Sequence, residues 1–390
     1  MWNIIVTGFT SLFTDISSEM IYPIISLYLL SLGAGPALIG FIEGIAESTA
    51  SMVKVFSGAL SDKINKRKPL AILGYSFSPI GKFFMWAANS WAFVFTGRTL
   101  DRFGKGIRTA PRDAIIAESG TEGKRGASFG LHRTMDTMGA IIGVVIAILI
   151  LEHFGLDKGM HTAQHMRSYL PAFKVIILLS LIPAIIGVAV LFLVKETGTG
   201  KPIAKTLSFR WSKLDRRLKA FLIVTLIFTL GNSSNQFLLM RAKNIGFSVE
   251  GVLFLYLAYN IIYAFVSWPA GRLSDRIGRK KLIVAGYLIY ALVYAGFGMF
   301  SSSAMIWGLF CVYGLYIAFT EGVEKALVAD IAPKDLKATL IGLHATLVGI
   351  GLFPASLLAG VIWDVLGPQY TFYFGGLMGV IAAVGMMVVL

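Results

Sequence analysis

Long apolar stretches alternate with short polar ones along the whole chain. Twelve segments read as helices: 3–31, 37–60, 69–88, 91–112, 126–151, 172–194, 219–242, 249–271, 281–299, 303–325, 337–363 and 370–390. Each is long enough to cross the hydrocarbon core of a bilayer as a helix. Helices are the only open-chain way to satisfy every backbone group in lipid, so strands do not compete. The polar breaks are unequal. Those after even-numbered spans hold the basic residues, including Lys63, Lys66, Arg67 and Lys68 after the second and Arg272, Arg276, Arg279, Lys280 and Lys281 after the eighth. Those after odd-numbered spans are short and nearly uncharged, except 152–171. The positive-inside rule therefore puts the even breaks and both termini in the cytoplasm.

Composition agrees with a bilayer. Of 390 residues, 56% are hydrophobic and 14% charged, and the mean hydropathy is +0.74. A net charge of +14 is a nucleic-acid signal in a soluble chain. Here it sits in short loops between apolar runs, so it reports topology and no nucleic acid is expected. The start, Met1–Leu30, lacks a basic leading region, and its apolar stretch is too long for a cleavable signal, so it reads as the first span. The single cysteine, Cys311, leaves no disulfide within the chain and no cysteine zinc site. His153, His161 and His165 share the loop after the fifth span and read as solvated. Gly104-x-Gly106 lacks the strand–turn–helix setting of a phosphate loop, and there is no Walker motif. No cofactor, metal or enzymatic nucleophile is expected.

The chain also repeats itself. Gly58-Ala-Leu-Ser-Asp62-Lys63-Ile-Asn-Lys66-Arg67-Lys68 returns 213 residues later as Gly271-Arg-Leu-Ser-Asp275-Arg276-Ile-Gly-Arg279-Lys280-Lys281. Ala114-Ile-Ile-Ala-Glu118 returns as Ala326-Leu-Val-Ala-Asp330, and Gly130-Leu-His132 as Gly342-Leu-His344, both 212 residues on. Three agreeing offsets imply a duplication. The basic segment 195–218, with Gly198, Gly200 and Pro202, is the expected joint between bundles at 1–194 and 219–390.

With these motifs the chain resembles the major facilitator superfamily, whose Gly-x-x-x-Asp-Arg/Lys-x-Gly-x-Arg/Lys-Arg/Lys signature occurs twice. The second copy matches fully, and Asn65 replaces the second glycine of the first. The resemblance covers essentially the whole chain. It implies an all-α membrane protein of twelve helices, in two pseudo-symmetric six-helix bundles around a central cavity, working by alternating access. It also implies a cytoplasmic gate formed by Asp62, Lys63 and Arg67 and by Asp275, Arg276 and Arg279. Arg102-Phe-Gly-Lys105-Gly106 in the fourth span is similar to the Arg-x-x-Gln-Gly element of proton-coupled drug antiporters, with Lys105 in place of Gln. The Gly-Pro-Gly pattern of those antiporters is not evident in the fifth span, which carries Gly139 and Gly143 without a proline.

Charge inside the spans is concentrated in the first half: Asp15, Glu19, Glu43, Glu47, Lys54, Lys82, Arg98, Asp101, Arg102, Lys105, Arg133 and Asp136. A charge at the bilayer centre costs ~2.5–3.5 kcal/mol, so these residues are expected to face a cavity or one another. Structural ion pairs explain much of the set. The remaining question is which acid exchanges a proton. Asp15 and Glu19 share a face of the first helix, and Asp101 lies at similar depth in the fourth, with Arg102 beside it as modulator. Glu43 and Glu47 sit nearer the outer end of their span. The second half offers amides and aromatics instead: Asn232, Asn235, Gln236, Tyr256, Tyr259, Asn260 and Tyr263. Such groups orient a ligand without the cost of a buried charge, and together with Arg98 they are the expected substrate surface.

The expected function is proton-coupled transport of a small organic solute by a monomer embedded in the cell membrane. Arg102 in its motif favours antiport and export. Proton-driven uptake of an organic anion, export of a lipid or amphiphile, and a non-transporting receptor on the same fold are the alternatives.

Overall fold

The computed structural model describes residues 1–64, 66–119, 125–155, 163–197, 215–332 and 337–389, with side chains except at 62, 125–128, 163–165 and 337–339. The chain is all-α, and its helices follow the twelve expected spans. They are α1 (Trp2–Ile21) with α2 (Ile25–Ser31), α3 (Pro36–Ile64), α4 (Lys68–Trp86), α5 (Trp91–Ser119) and α6 (Arg125–Phe154). The short α7 (Ala163–Ser168) then precedes α8 (Leu170–Leu191). The second half comprises α9 (Arg216–Gly231) with α10 (Gln236–Ile245), α11 (Val249–Ile277), α12 (Arg279–Met299), α13 (Ser303–Ile331), α14 (Lys337–Leu366) and α15 (Pro368–Val389). Among the described residues, nine helical segments are long and apolar enough to cross a membrane. The spans outside that set, α3, α4 and α5, carry much of the intramembrane charge.

Two spans are broken at matching points of the repeat. In the first, a 3-10 turn at Tyr22–Ile24 separates α1 from α2, because Pro23 has no amide to continue the ladder. In the seventh, α9 stops at Gly231 and α10 starts at Gln236. The freed amide of Ser234 finds the Ser356 hydroxyl at 3.1 Å, and the Gly231 carbonyl accepts the Tyr290 hydroxyl at 2.7 Å. Unwound backbone survives at membrane depth where protein groups replace the lost partners.

The chain divides into two compact units, Met1–Ala34 with Ile45–Thr206, and Gly35–Gly44 with Leu207–Leu390. Most of segment 195–218, residues 198–214, lies outside the described residues. The internal packing of the units corresponds pair by pair. In the first, α1 packs on α6 and α8, and α4 on α5 and α8. In the second, α9 packs on α14 and α15, and α12 on α13 and α15. Small residues set the closest approaches. Gly74 and Gly81 of α4 meet Gly104 and Gly97 of α5 backbone to backbone, while Gly139 and Gly143 of α6 lie on the Leu12 and Ile16 carbonyls of α1. In the second unit, Gly40 and Gly44 at the start of α3 lie on the backbone of Ser356 and Phe353 in α14.

Candidate functional site

The glycine contacts of α6 bring Asp136 to α1. The Ser11 hydroxyl donates to Asp136 Oδ1 at 2.8 Å, and Arg133 Nη1 donates to Oδ2 at 3.2 Å. One turn on from Ser11, Asp15 meets Asp136 carboxyl to carboxyl within hydrogen-bonding reach. Glu19 is half-buried and lies close to Asp15. Asp15 was expected from its face of the first helix, whereas its partner in the fifth span was not. Only the register between the two helices reveals it.

Asp101 and Arg102 are adjacent in sequence but belong to separate networks. The Ser78 hydroxyl donates to Asp101 Oδ1 at 2.6 Å, and Lys82 Nζ lies 2.9 Å from the same hydroxyl and 3.4 Å from Ser18 Oγ. Lys82 is 1% exposed. A buried ammonium beside a buried carboxylate, joined through one serine, is a compensated pair. Arg102 turns the other way, to Glu47 at 3.1 Å, and Arg98 reaches the same carboxylate at 3.5 Å. Both guanidiniums lie over the Tyr22 ring, at 5.4 and 5.8 Å from its centroid. Lys105 adds a third positive charge near Glu47. Glu47 therefore joins the two arginines, a role its position towards the outer end of the span did not indicate. Arg108 stacks on Tyr75 at 4.4 Å, and Arg112 pairs with Asp113 at 2.9 Å.

In the second unit the break between α9 and α10 positions the amides. Asn232 donates to Tyr316 at 3.0 Å, Asn235 accepts from Tyr313 at 2.7 Å, and its amide nitrogen lies 3.4 Å from the Tyr259 hydroxyl. Tyr256 meets Tyr259 edge to face with ring centroids 5.2 Å apart. These residues form one polar–aromatic cluster, joined by Tyr313 and Tyr316. Gln236 is fully buried. Asn260 donates back to the Tyr256 carbonyl of its own helix at 2.8 Å, and Tyr263 donates to Glu321 at 2.7 Å. Tyr263 also lines a cavity of about 350 Å³ with Ser267, Ser274, Asp275, Arg279 and Gly322.

The repeated loops make matching clasps. Arg67 donates to Glu118 at 3.2 Å and to the Ser61 hydroxyl at 2.8 Å. Arg279 pairs with Asp330, lies 3.3 Å from Asp275 and reaches Ser274 Oγ at 3.4 Å. The signature sets Lys66 opposite Arg279, yet Arg67, one residue on, makes the corresponding contacts. Glu118 and Asp330 share the 212-residue offset, the one sequence signal that marked them. Glu196 accepts from the backbone amide of Arg67 at 2.9 Å. Lys63 and Arg276 are exposed, and the Asp62 side chain and Asn65 lie outside the described residues. Gly278, the glycine that Asn65 replaces, has φ +95° and ψ 139°, a conformation open to glycine.

The family model described as Major Facilitator Superfamily matches residues 7–241 and 220–390. The chain is 37% identical over 388 residues to the MFS-type transporter MJ1317 of Methanocaldococcus jannaschii, covering 97% of this chain and 93% of that one. It is 21% identical over 392 residues to the multidrug resistance protein MdtH of Photorhabdus laumondii, covering 96% and 90%. Among solved structures, the nucleoside transporter NupG superimposes with a TM-score of 0.76 at 15% identity over 100% of this chain and 99% of that chain. A bacterial homolog of the human lysosomal transporter Spinster gives 0.76 at 14%, over 100% and 96%.

Proposed function

The chain belongs to the major facilitator superfamily, and from that membership as a multi-pass membrane transporter we propose a proton-coupled exporter of small organic solutes. The carrying observation is the Asp15–Asp136 pair. Two carboxyls within hydrogen-bonding reach, between helices of an apolar bundle, repel each other as anions and so favour holding one proton between them, against the pull of Arg133 on Asp136. Arg133 donates to Asp136 and favours releasing that proton once the pair is wetted. Glu19 is the second candidate along the same face. Asp101 with Lys82, and Glu47 with Arg98 and Arg102, supply the fixed charge around the exchange site.

Export is supported by the Arg102 motif and by relatives named as multidrug resistance proteins. On this reading the polar–aromatic cluster of Asn232, Asn235, Tyr256 and Tyr259 contributes the solute-contacting surface of the second unit. The two arginine clasps, with Asp62, Lys63 and Arg276, act as the cytoplasmic gate. Segment 195–218 is the joint, both termini are cytoplasmic, and the monomer in the cell (inner) membrane is the working unit. A second reading, proton-driven uptake of an organic anion, is favoured by the three cations, Arg98, Arg102 and Lys105, gathered around Glu47.

Purified protein in liposomes with an imposed pH gradient tests both readings, with ethidium and a benzoate-type anion as probes. Export coupling predicts that ethidium moves against the protons, and that D15N and D136N each abolish driven movement while solute counterflow persists. Driven movement at the wild-type rate in both variants would exclude the pair as carrier. Accumulation of the anion along with the protons would select the second reading.

A further inference from the structure

Asp15 and Asp136 both belong to the first unit. The second unit holds a buried acid of its own. Glu324, on α13, is 8% exposed, and His344, on α14, is 4% exposed. Imidazole Nε2 lies 3.4 Å from Glu324 Oε2, and Tyr287 of α12 donates to the other carboxylate oxygen at 2.9 Å. The Phe221 ring of α9 stacks on the imidazole at 5.6 Å and 10°.

We propose that Glu324 and His344 hold one exchangeable proton between them, forming a second proton-binding site wholly inside the second unit. Among the described residues, no lysine or arginine makes an ion pair with Glu324. From α12 the carboxyl faces Tyr287, from α14 His344, and along its own helix Tyr316 and Glu321. Glu321 is itself engaged by Lys325 at 3.4 Å and by Tyr263 of α11. The neighbours from α9, Phe221 and Thr225, carry no charge. Without a proton, carboxylate and neutral imidazole leave a net negative charge in an apolar interior. With one, taken from a hydronium that leaves as water, the pair is neutral overall, whether as imidazolium and carboxylate or as imidazole and carboxylic acid. Space for water is near. Gly322, Val323 and Ala326, on either side of Glu324 along α13, line the 350 Å³ cavity.

The duplication supplies an internal comparison. The residues 212 positions earlier are Tyr75, Arg112 and His132. They too are neighbours, with Arg112 close to both the tyrosine and the histidine. The same frame thus holds a permanent cation in the first unit, where Glu324 stands in the second. The first position carries a fixed positive charge, and the second carries an acid that no lysine or arginine pairs with among the described residues.

The part this site plays in transport rests on the proton-coupled reading, but proton binding itself does not. Infrared difference spectra of the full chain in lipid, recorded across a pH titration, read protonated carboxyls directly. The wild-type protein is expected to show the Asp pair and the Glu324–His344 pair as separate titrating signals. E324Q should lose one, and D136N should lose the other. H344Q should alter the Glu324 carboxyl signal, since the imidazole no longer stands beside it. Y287F should move the band, because it removes only the donated hydrogen bond. If E324Q folds and keeps every wild-type carboxyl signal, the proposal is overturned. If E324Q does not fold, an unmoved spectrum in both H344Q and Y287F overturns it instead. Loss of signal in E324Q but not in D136N would keep this site and remove the Asp15–Asp136 reading. The reverse would do the opposite.

Discussion

Glu47 reaches Arg102 at 3.1 Å and Arg98 at 3.5 Å, and both guanidiniums are nearly buried. Removing the carboxylate leaves two like charges over one tyrosine without the acid that bridges them. E47Q is expected to lower thermal stability by about 3 kcal/mol, the scale for breaking a buried pair from one side. Neutralising Arg98 in the E47Q background should recover part of that loss, and a double-mutant cycle of unfolding midpoints measures it. If E47Q unfolds at the wild-type midpoint, the pair has no structural weight. At this scale the sequence was half legible. Asp15 could be picked out because its face of α1 also carries Glu19. Asp136 could not be paired with it, because pairing depends on how Gly139 and Gly143 seat α6 on α1. Asp101 and Arg102 looked like one unit, since they are adjacent. Consecutive helical residues point about 100° apart, and these two serve different partners.

The broken spans illustrate the same limit one level up. The break after α1 is marked by Pro23, whose missing amide is visible in the sequence. The break between α9 and α10 has no proline or interior glycine. It occurs where Asn232, Ser233, Ser234 and Asn235 compete for backbone hydrogen bonds and where Ser356, Tyr290, Tyr313 and Tyr316 supply substitutes. Those substitutes come from three other helices, so no local reading could locate it. P23A restores an amide and should let the Tyr22–Ile24 turn relax towards regular helix. The Tyr22 ring would then move from beneath Arg98 and Arg102. The expected outcome is an unchanged or slightly raised unfolding midpoint together with slower transport, measured on the same preparation. Wild-type transport in P23A would mean that the 3-10 turn is incidental to function.

At the scale of the molecule, the twelve spans, the duplication and the family were legible from hydropathy and two loops. The clasps were legible only in part, because their acids lie some fifty residues from their arginines. Arg279 and Asp330 are 24% and 55% exposed, and Arg67 and Glu118 are 11% and 35% exposed. Ion pairs that wet contribute about 0–1 kcal/mol each. That is too little to hold a unit together, but it is enough to shift a two-state equilibrium about fivefold. R67A and R279A are therefore expected to leave unfolding midpoints nearly unchanged while altering transport rate several-fold. R279D with D330R should recover the rate in part. A large drop in stability in either alanine variant would make the clasps ordinary structural bonds. The boundary of the two units carries a different consequence. Gly35–Gly44 packs on α14 although it is encoded far upstream of it. A fragment beginning at α9 would lack those ten residues and leave the Ser356 and Phe353 backbone bare, so the two genetic halves are not interchangeable, self-sufficient cassettes.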